Sequence, residues 1–381
     1  MSGTAYLDYN SGAPLRPAVA AAIAECWAEA GNPSSIHGPG RAARKRLETA
    51  RAQVAALVGA DPHGLIFTSG GTEADALILA GSGARRLIVS AIEHPAIAEP
   101  AERAGAAFIP VGADGLIDLA ALDRLLGEDT RPALVSVMLA NNETGVIQPV
   151  AEAARLAHAH GARLHCDAAQ AAGRTPLSLT ALGADFLTLS AHKMGGPPGI
   201  GALVLADPTF PLAPFLLGGG QESRRRAGTE NLPGIVGFGA CATLVGDDLS
   251  DPTTTLRLSA MRDRLERAAL TRLPQAIAVG AASPRLSNTT CLALPGLPGR
   301  TQVMALDLAG VAVSAGPACA SGRQEVSRVL TAMGLEPEIA GSAIRISLGW
   351  ASREEDIDRF LAAWTDLARR KGFTISQAEA A

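Results

Sequence analysis

The chain has 381 residues, 48% of them hydrophobic and 18% charged, and a formal net charge of −4. That hydrophobicity excludes a disordered tail protein, which needs low hydrophobicity and high net charge. With no basic excess to neutralise phosphates, nucleic acid is not expected as a direct partner.

In chain order, residues 16–30 and 41–59 read as two helices joined by a turn-rich stretch that opens with GNPSS at 31–35. Short apolar runs then alternate with helical stretches. Strands are expected at 65–67, 86–90, 107–111, 134–139, 163–166, 186–189 and 200–205. Helices are expected at 72–80, 97–104, 119–126, 150–160 and, more briefly, 168–172. This alternation predicts an α/β fold around a mostly parallel, seven-stranded buried sheet. Such sheets carry their ligand beyond the carboxyl ends of the strands. Near residue 250 the pattern changes. A stretch rich in Asp, Thr and Pro at 247–255 precedes a long helix at 256–273, short strands at 276–279, 289–294, 311–314 and 344–348, and a last helix at 353–369. A large domain at 15–250 and a smaller α+β domain behind it are expected.

No uninterrupted apolar run approaches the ~20 residues of a membrane helix. The opening MSGTAYLDYN lacks the layout of a signal peptide. No membrane association and a cytoplasmic location are therefore expected. The five cysteines, Cys26, Cys166, Cys241, Cys291 and Cys319, form neither a disulfide framework nor a zinc-ligand spacing, and no resident metal is expected. Only three of the 33 basic residues are lysines, Lys45, Lys193 and Lys371.

Strand ends are where chemistry-bearing residues collect. Lys193 lies in SAHKMGGPPGIGA at 190–202, directly after an expected strand. A lysine held there out of bulk water has an easily lowered pKa and becomes a nucleophile toward a carbonyl. Asp167 ends another strand. A pyridoxal phosphate site needs a lysine for the aldehyde and an acid for the pyridinium nitrogen. FTSGGTEAD at 67–75 runs from a strand through two glycines into a helix, so Gly71 and Thr72 open a helix N-terminus suited to a phosphate. His94 follows a strand and could stack on a flat cofactor and move protons. Asn142, also after a strand, could bond a phenolic oxygen. Cys319 sits among small residues in VAVSAGPACASGR at 311–323, with Arg323 nearby, the setting of a reactive thiol. The other four cysteines lie in apolar patterns and read as core. Each residue has a plainer reading: a surface lysine, an Asp or Thr helix cap, an incidental loop cysteine. Their joint placement on five strand ends favours the cofactor.

The chain resembles the cysteine desulfurases, within the aminotransferase class V group of fold type I pyridoxal phosphate enzymes. The segments LDYNSGAP, GNPSS, FTSGGTE, EHP, NNETG, DAAQ, SAHK, GGGQE, RAGT, SAGPAC and IRISLG occur in the family's order over nearly the whole chain. The loop around Cys319 resembles the longer, group I type. The resemblance implies that Lys193 holds pyridoxal 5'-phosphate and shuttles protons, and that Asp167 pairs with its pyridinium nitrogen. Gln170 and Asn142 would contact the phenolic oxygen, and His94 would stack on the ring. Gly71, Thr72, Ser190 and His192 would bind the phosphate, joined by Thr229 of the partner subunit in a homodimer. Arg345 would clamp the carboxylate of L-cysteine, and Asn32 would be a further substrate contact. Cys319 would take the substrate sulfur as a persulfide, leaving L-alanine, and pass it to an acceptor protein for iron–sulfur cluster assembly or tRNA thiolation. Transient iron–sulfur ligation by Cys319 belongs to the same expectation. The resemblance also implies that residues 1–14 pack with 251–381.

Three departures stand out. Where the family often has Asn-Ala-Ala-Thr-Thr-Pro, this chain has Tyr9-Asn10-Ser11-Gly12-Ala13-Pro14. Gly195-Gly196-Pro197-Pro198 replaces a Tyr-Gly-Pro-Lys run, and Pro317 stands for a serine. A selenocysteine lyase or another class V enzyme is the alternative reading. A scaffold that keeps only the fold would have no need of Lys193, Asp167 and Cys319 together.

Overall fold

The computed structural model describes residues 3–29, 31–316 and 327–376. Among the described residues, twelve strands occur in chain order: β1 (Ala5–Tyr6), β2 (Leu65–Thr68), β3 (Arg86–Ser90), β4 (Ala107–Ile109), β5 (Ala133–Ser136), β6 (Arg163–Asp167), β7 (Phe186–Ser190), β8 (Gly201–Leu205), β9 (Ile277–Val279), β10 (Thr289–Ala293), β11 (Val311–Ala312) and β12 (Ala343–Ser347). The main sheet has seven strands in the order β2-β8-β7-β6-β5-β3-β4. Five of them, β7, β6, β5, β3 and β4, run parallel. β8 lies antiparallel to both β2 and β7, because the turn from Lys193 to Gly201 is too short for a crossover helix. These strands are buried on both faces, which is why they read as continuous apolar runs rather than alternating ones.

The front helices are Pro17–Trp27 and Gly38–Leu57, each with a proline in its first turn. They pack on a helix absent from the sequence reading, Leu232–Ser250, which buries Ile235, Phe238, Cys241, Ala242 and Val245. By length and composition this is the one helix among the described residues that could cross a membrane. Here it packs in the core. The stretch at 247–255 is not a loop. Ser250 ends one helix and Pro252 begins the next, Pro252–Arg272, with the Asp251 carboxylate accepting from Thr253 N–H at 2.9 Å. The Asp-Thr-Pro signature marks an N-cap, not a linker.

The expected helix at 168–172 is a turn. The Asp167 carboxylate caps Ala169 N–H at 2.8 Å, Ala168 N–H goes to the carbonyl of Thr188, and only Ala171 and Ala172 bond back to Ala168. Helix propensity loses here because the strand end must stay tied to β7. The strand expected at 134–139 stops at Ser136, although Val137 and Leu139 continue to bond the carbonyls of His165 and Asp167. The strand expected at 311–314 stops at Ala312, and Ser314 makes a lone bridge to Arg345.

A second apolar cluster joins Leu7 to Met261, Leu265, Leu292, Ile344, Phe360 and Trp364. Two smaller sheets belong to it: β12-β10-β9, antiparallel, and β1-β11, parallel. The chain start is thereby stitched to residues more than three hundred positions away. From β1, residues Asp8 to Pro14 then run back across the ends of β6 and β7.

Candidate active site

Lys193 ends a single helical turn, Ala191–Lys193, that follows β7. Its Nζ donates to the carbonyls of Asn10 at 2.6 Å and Ser11 at 3.0 Å. Burial, followed by the cations Arg174 and Arg345, lowers its pKa to about 8. A strand end inside the fold thus makes an amine that is partly neutral near physiological pH.

Asp167, the last residue of β6, is buried, and that burial raises its pKa against the opposing pull of His94 and Lys193. Beneath it lies a polar layer that the sequence reading missed. His165 shares hydrogens with Ser136 Oγ at 2.9 Å and Thr188 Oγ1 at 3.0 Å, and burial drives its pKa down to about 3. Asp75 Oδ1 is buried without a hydrogen-bond partner, 3.7 Å from His165 Nε2. Its pKa is raised by burial and then by Asp167. Glu93 accepts from Ser90 Oγ at 2.6 Å and Met138 N–H at 2.7 Å, and burial pushes it up to about 8. Glu93 therefore favours its protonated form beside Asp167, and burial shifts Asp75 in the same direction.

His94 caps the helix Pro95–Arg103, its Nδ1 accepting from Ala96 N–H at 3.2 Å. It keeps accessible surface toward the cleft, yet its pKa is lowered, first by lost hydration and also by Lys193, against Asp167. Gln170 Nε2 donates to the Asn10 carbonyl at 3.0 Å. The Asn142 carbonyl accepts from Asn10 Nδ2 at 3.2 Å and Arg345 Nη1 at 3.0 Å. Gly71 starts the helix Gly71–Gly81. A Cβ there would meet Thr188 and Ser190 at ordinary contact distances of 3.5 and 3.6 Å, so this helix N-terminus lies directly against the end of β7. Ser190 Oγ bonds His192 Nδ1 at 2.9 Å, and burial holds His192 at about 4, a neutral imidazole.

Arg345, on β12, reaches the same place from the second cluster. Its Nη2 meets Asp8 Oδ1 at 2.8 Å and Ser11 Oγ at 2.7 Å, while its buried Nε has no partner. Arg174 also went unread. Its guanidinium donates to the carbonyls of Gln170 at 2.9 Å and of Tyr9 and Lys193 at 3.1 Å each, tying three segments together. Arginine at this point carries no motif signal, whereas Asp8 to Ser11 lie inside the LDYNSGAP match.

The structure thus brings Lys193, Asp167, Gln170, Asn142, His94 and Arg345 to one cleft, with Gly71, Ser190 and His192 at its side. Three further candidates are exposed in the single chain. Thr72 is exposed in the first turn of its helix. Thr229 is exposed, on a segment pinned by Arg226 to Glu73 at 2.8 Å. Asn32 is exposed and turns its Oδ1 to Ser34 N–H at 2.8 Å. Cys319 lies outside the described residues. The four remaining cysteines are buried, as their apolar patterns predicted.

The aminotransferase class-V family model matches residues 5–360, and the chain belongs to that family. Within it, the chain is similar to a cysteine desulfurase of Cereibacter sphaeroides, at 44% identity over 93% of each chain. It is also similar to an IscS-like cysteine desulfurase of Mycobacterium tuberculosis, at 38% identity over 94% of each. Among solved structures, a NifS-like protein from Rickettsia africae superposes with a TM-score of 0.89 at 35% identity, covering 96% of this chain and 99% of that one. SspA in complex with cysteine gives 0.76 at 29% identity, over 90% and 98%.

Proposed function

We propose that this chain is a pyridoxal 5'-phosphate-dependent cysteine desulfurase that converts L-cysteine to L-alanine and loads the sulfur on Cys319. The observation that carries the reading is Lys193 and Asp167 at the ends of adjacent strands, one amine of lowered basicity and one buried carboxylate, with Arg345 close enough to Lys193 to help lower its pKa. This donor set fits the cofactor: an amine for its aldehyde, a carboxylate for its ring nitrogen, and the helix N-terminus at Gly71, beside Ser190 and His192, for its phosphate. The unpartnered Nε of Arg345 suits a substrate carboxylate.

When bound, the cofactor supplies an electron sink for the α-carbon. The chain's own groups do the rest. Lys193 Nζ, partly neutral, takes the α-proton and can return it. Asp167 would pair with the ring nitrogen and keep it protonated, and Glu93, pushed up to about 8 by burial, holds a proton beside it. Arg345 orients the substrate through its carboxylate, and His94 covers the ring. The Cys319 thiolate attacks the substrate sulfur. The S–S bond forms as the C–S bond breaks, and an acceptor thiol later removes the outer sulfur. The same reading assigns 15–250 to a large domain, 1–14 with 251–381 to a small one, and a homodimer in which Thr229 of the partner subunit reaches the phosphate. The acceptor would be a protein serving iron–sulfur assembly or tRNA thiolation.

The test supplies L-cysteine and reductant to wild type and Cys319→Ala. Sulfide and alanine from wild type, with sulfide release lost in the variant, are expected. Equal sulfide yield from both rejects the persulfide route.

A further inference from the structure

The family's early Ala-Ala-Thr-Thr run is replaced here by Asn10-Ser11-Gly12-Ala13, and the replacement at Ser11 places a hydroxyl in the cleft. Ser11 touches Lys193 and Arg345. Its backbone carbonyl accepts from Lys193 Nζ at 3.0 Å, and its Oγ accepts from Arg345 Nη2 at 2.7 Å. The same Oγ lies 3.2 Å from Ser314 Oγ, at the foot of the segment leading to Cys319. Ser11 is exposed to the cleft, whereas the Arg345 that it touches is buried.

A hydroxyl carries one proton and two lone pairs. With Arg345 donating to one lone pair, that proton is free to turn toward Ser314 or toward an incoming acceptor. The amino and carboxylate groups of an α-amino acid are one carbon apart, and Lys193 and Arg345 meet two atoms of a single residue. A substrate whose amine faces Lys193 and whose carboxylate faces Arg345 must pass over the Ser11 hydroxyl. We propose that Ser11 is a further substrate-binding residue, its hydroxyl donating to the α-carboxylate beside Arg345 and so setting the preference for an amino acid over a simple amine. This rests on the desulfurase reading for its substrate and deepens it at one residue.

The test uses the cofactor-loaded protein and two ligands, L-alanine and ethylamine, which differ by the carboxylate. Binding is followed by the change in visible absorption, a readout independent of turnover. In Ser11→Ala, L-alanine should bind roughly tenfold more weakly, the usual loss for a hydrogen bond to a charged group, while ethylamine is unchanged. Ser11→Thr, which keeps a hydroxyl, should recover much of the difference. With L-cysteine as substrate, the loss should appear in KM and not in kcat. Unchanged L-alanine binding, or an equal loss for both ligands, overturns the proposal. Absence of sulfide release by wild type would count against the desulfurase reading instead, and the ligand comparison would still decide Ser11.

Discussion

The ε-amine of Lys193 donates to the carbonyl oxygen of Asn10 at 2.6 Å, although the two residues lie 183 positions apart. Asn10 is a junction. Its side chain also donates to Thr289 Oγ1 at 3.0 Å and accepts from Asn288 Nδ2 at 3.2 Å. The N-terminal strap is thus bonded at once to the end of β7 and to β10. The Lys193 amine is held by backbone carbonyls of the N-terminal strap.

Lys193 should set a visible pH dependence. Its neutral form is the nucleophile, and its pKa is about 8 against an ordinary 10.5. Uptake of pyridoxal phosphate by cofactor-free protein, followed by absorbance, should rise with pH and level off above about 8. Arg174→Met removes the stronger of two lowering cations, so its midpoint should move upward. A wild-type rate still climbing steeply at about pH 10 would mean an amine in ordinary water.

Native thiol chemistry should separate one cysteine from four. Burial pushes Cys241 and Cys291 up to about 12 and Cys166 well above its ordinary value, and Cys26 is raised too. Iodoacetamide under native conditions should label one site quickly, mapped by mass spectrometry to Cys319, and all five only in denaturant. Fast labelling of Cys166 or Cys241 would contradict their burial.

The pair Arg51–Glu222 ties the helix Gly38–Leu57 to the turn at 222–224. It is bidentate at 2.8 Å on both arms, Glu222 is buried, and the same carboxylate accepts from Phe67 N–H at 2.9 Å. Glu222, Ser223 and Arg224 all sit at positive φ, from 45° to 66°, a conformation that side chains resist. The pair holds that strained turn against β2. Arg51→Met leaves a buried carboxylate unpaired and should cost about 3–5 kcal/mol in urea unfolding. A loss under about 1 kcal/mol would show that the turn holds itself.

His165 should make the protein acid-sensitive. Its folded pKa, about 3, lies below the unfolded value near 6.5. As pH falls through 6.5 the unfolded chain takes a proton that the folded chain refuses until about pH 3, so stability is lost across that window and is level above it. Glu93, raised to about 8, acts in the opposite sense between its unfolded value and 8, losing stability as pH rises. The clean readout is therefore the difference between wild type and His165→Gln in urea midpoint. That difference should shift in favour of the variant as pH drops from about 7 to about 4, because the variant lacks the titrating group.

Much of the parallel sheet was readable. β3 matches its expected bounds, and β2, β6, β7 and β8 differ by a residue at one end, because strands buried on both faces announce themselves as apolar runs. The helix Leu232–Ser250 was not readable in the same way. It is apolar over much of its circumference, so its periodicity is weak, and only its packing on Pro17–Trp27 and Gly38–Leu57 defines it. Ala168–Ala172 misled because alanine favours helix locally, while the carbonyl of Thr188 claims the amide of Ala168. Asp167 and Lys193 were legible as strand-end residues. Arg174, Asp75 and His165 were not, since each matters through neighbours distant in sequence.

By itself the sequence determined which chemistry is available: an isolated lysine, an aspartate, a glycine-opened helix, an arginine and one cysteine outside the apolar patterns. Those follow from residue type and local pattern, which any stretch of chain displays on its own. Tertiary structure alone decided that Asn10 and Ser11 meet Lys193 and Arg345, and that burial raises the pKa values of Asp75 and Glu93 beside Asp167. Hydrogen bonds across hundreds of residues and the loss of water around a charge exist only after the chain has closed on itself.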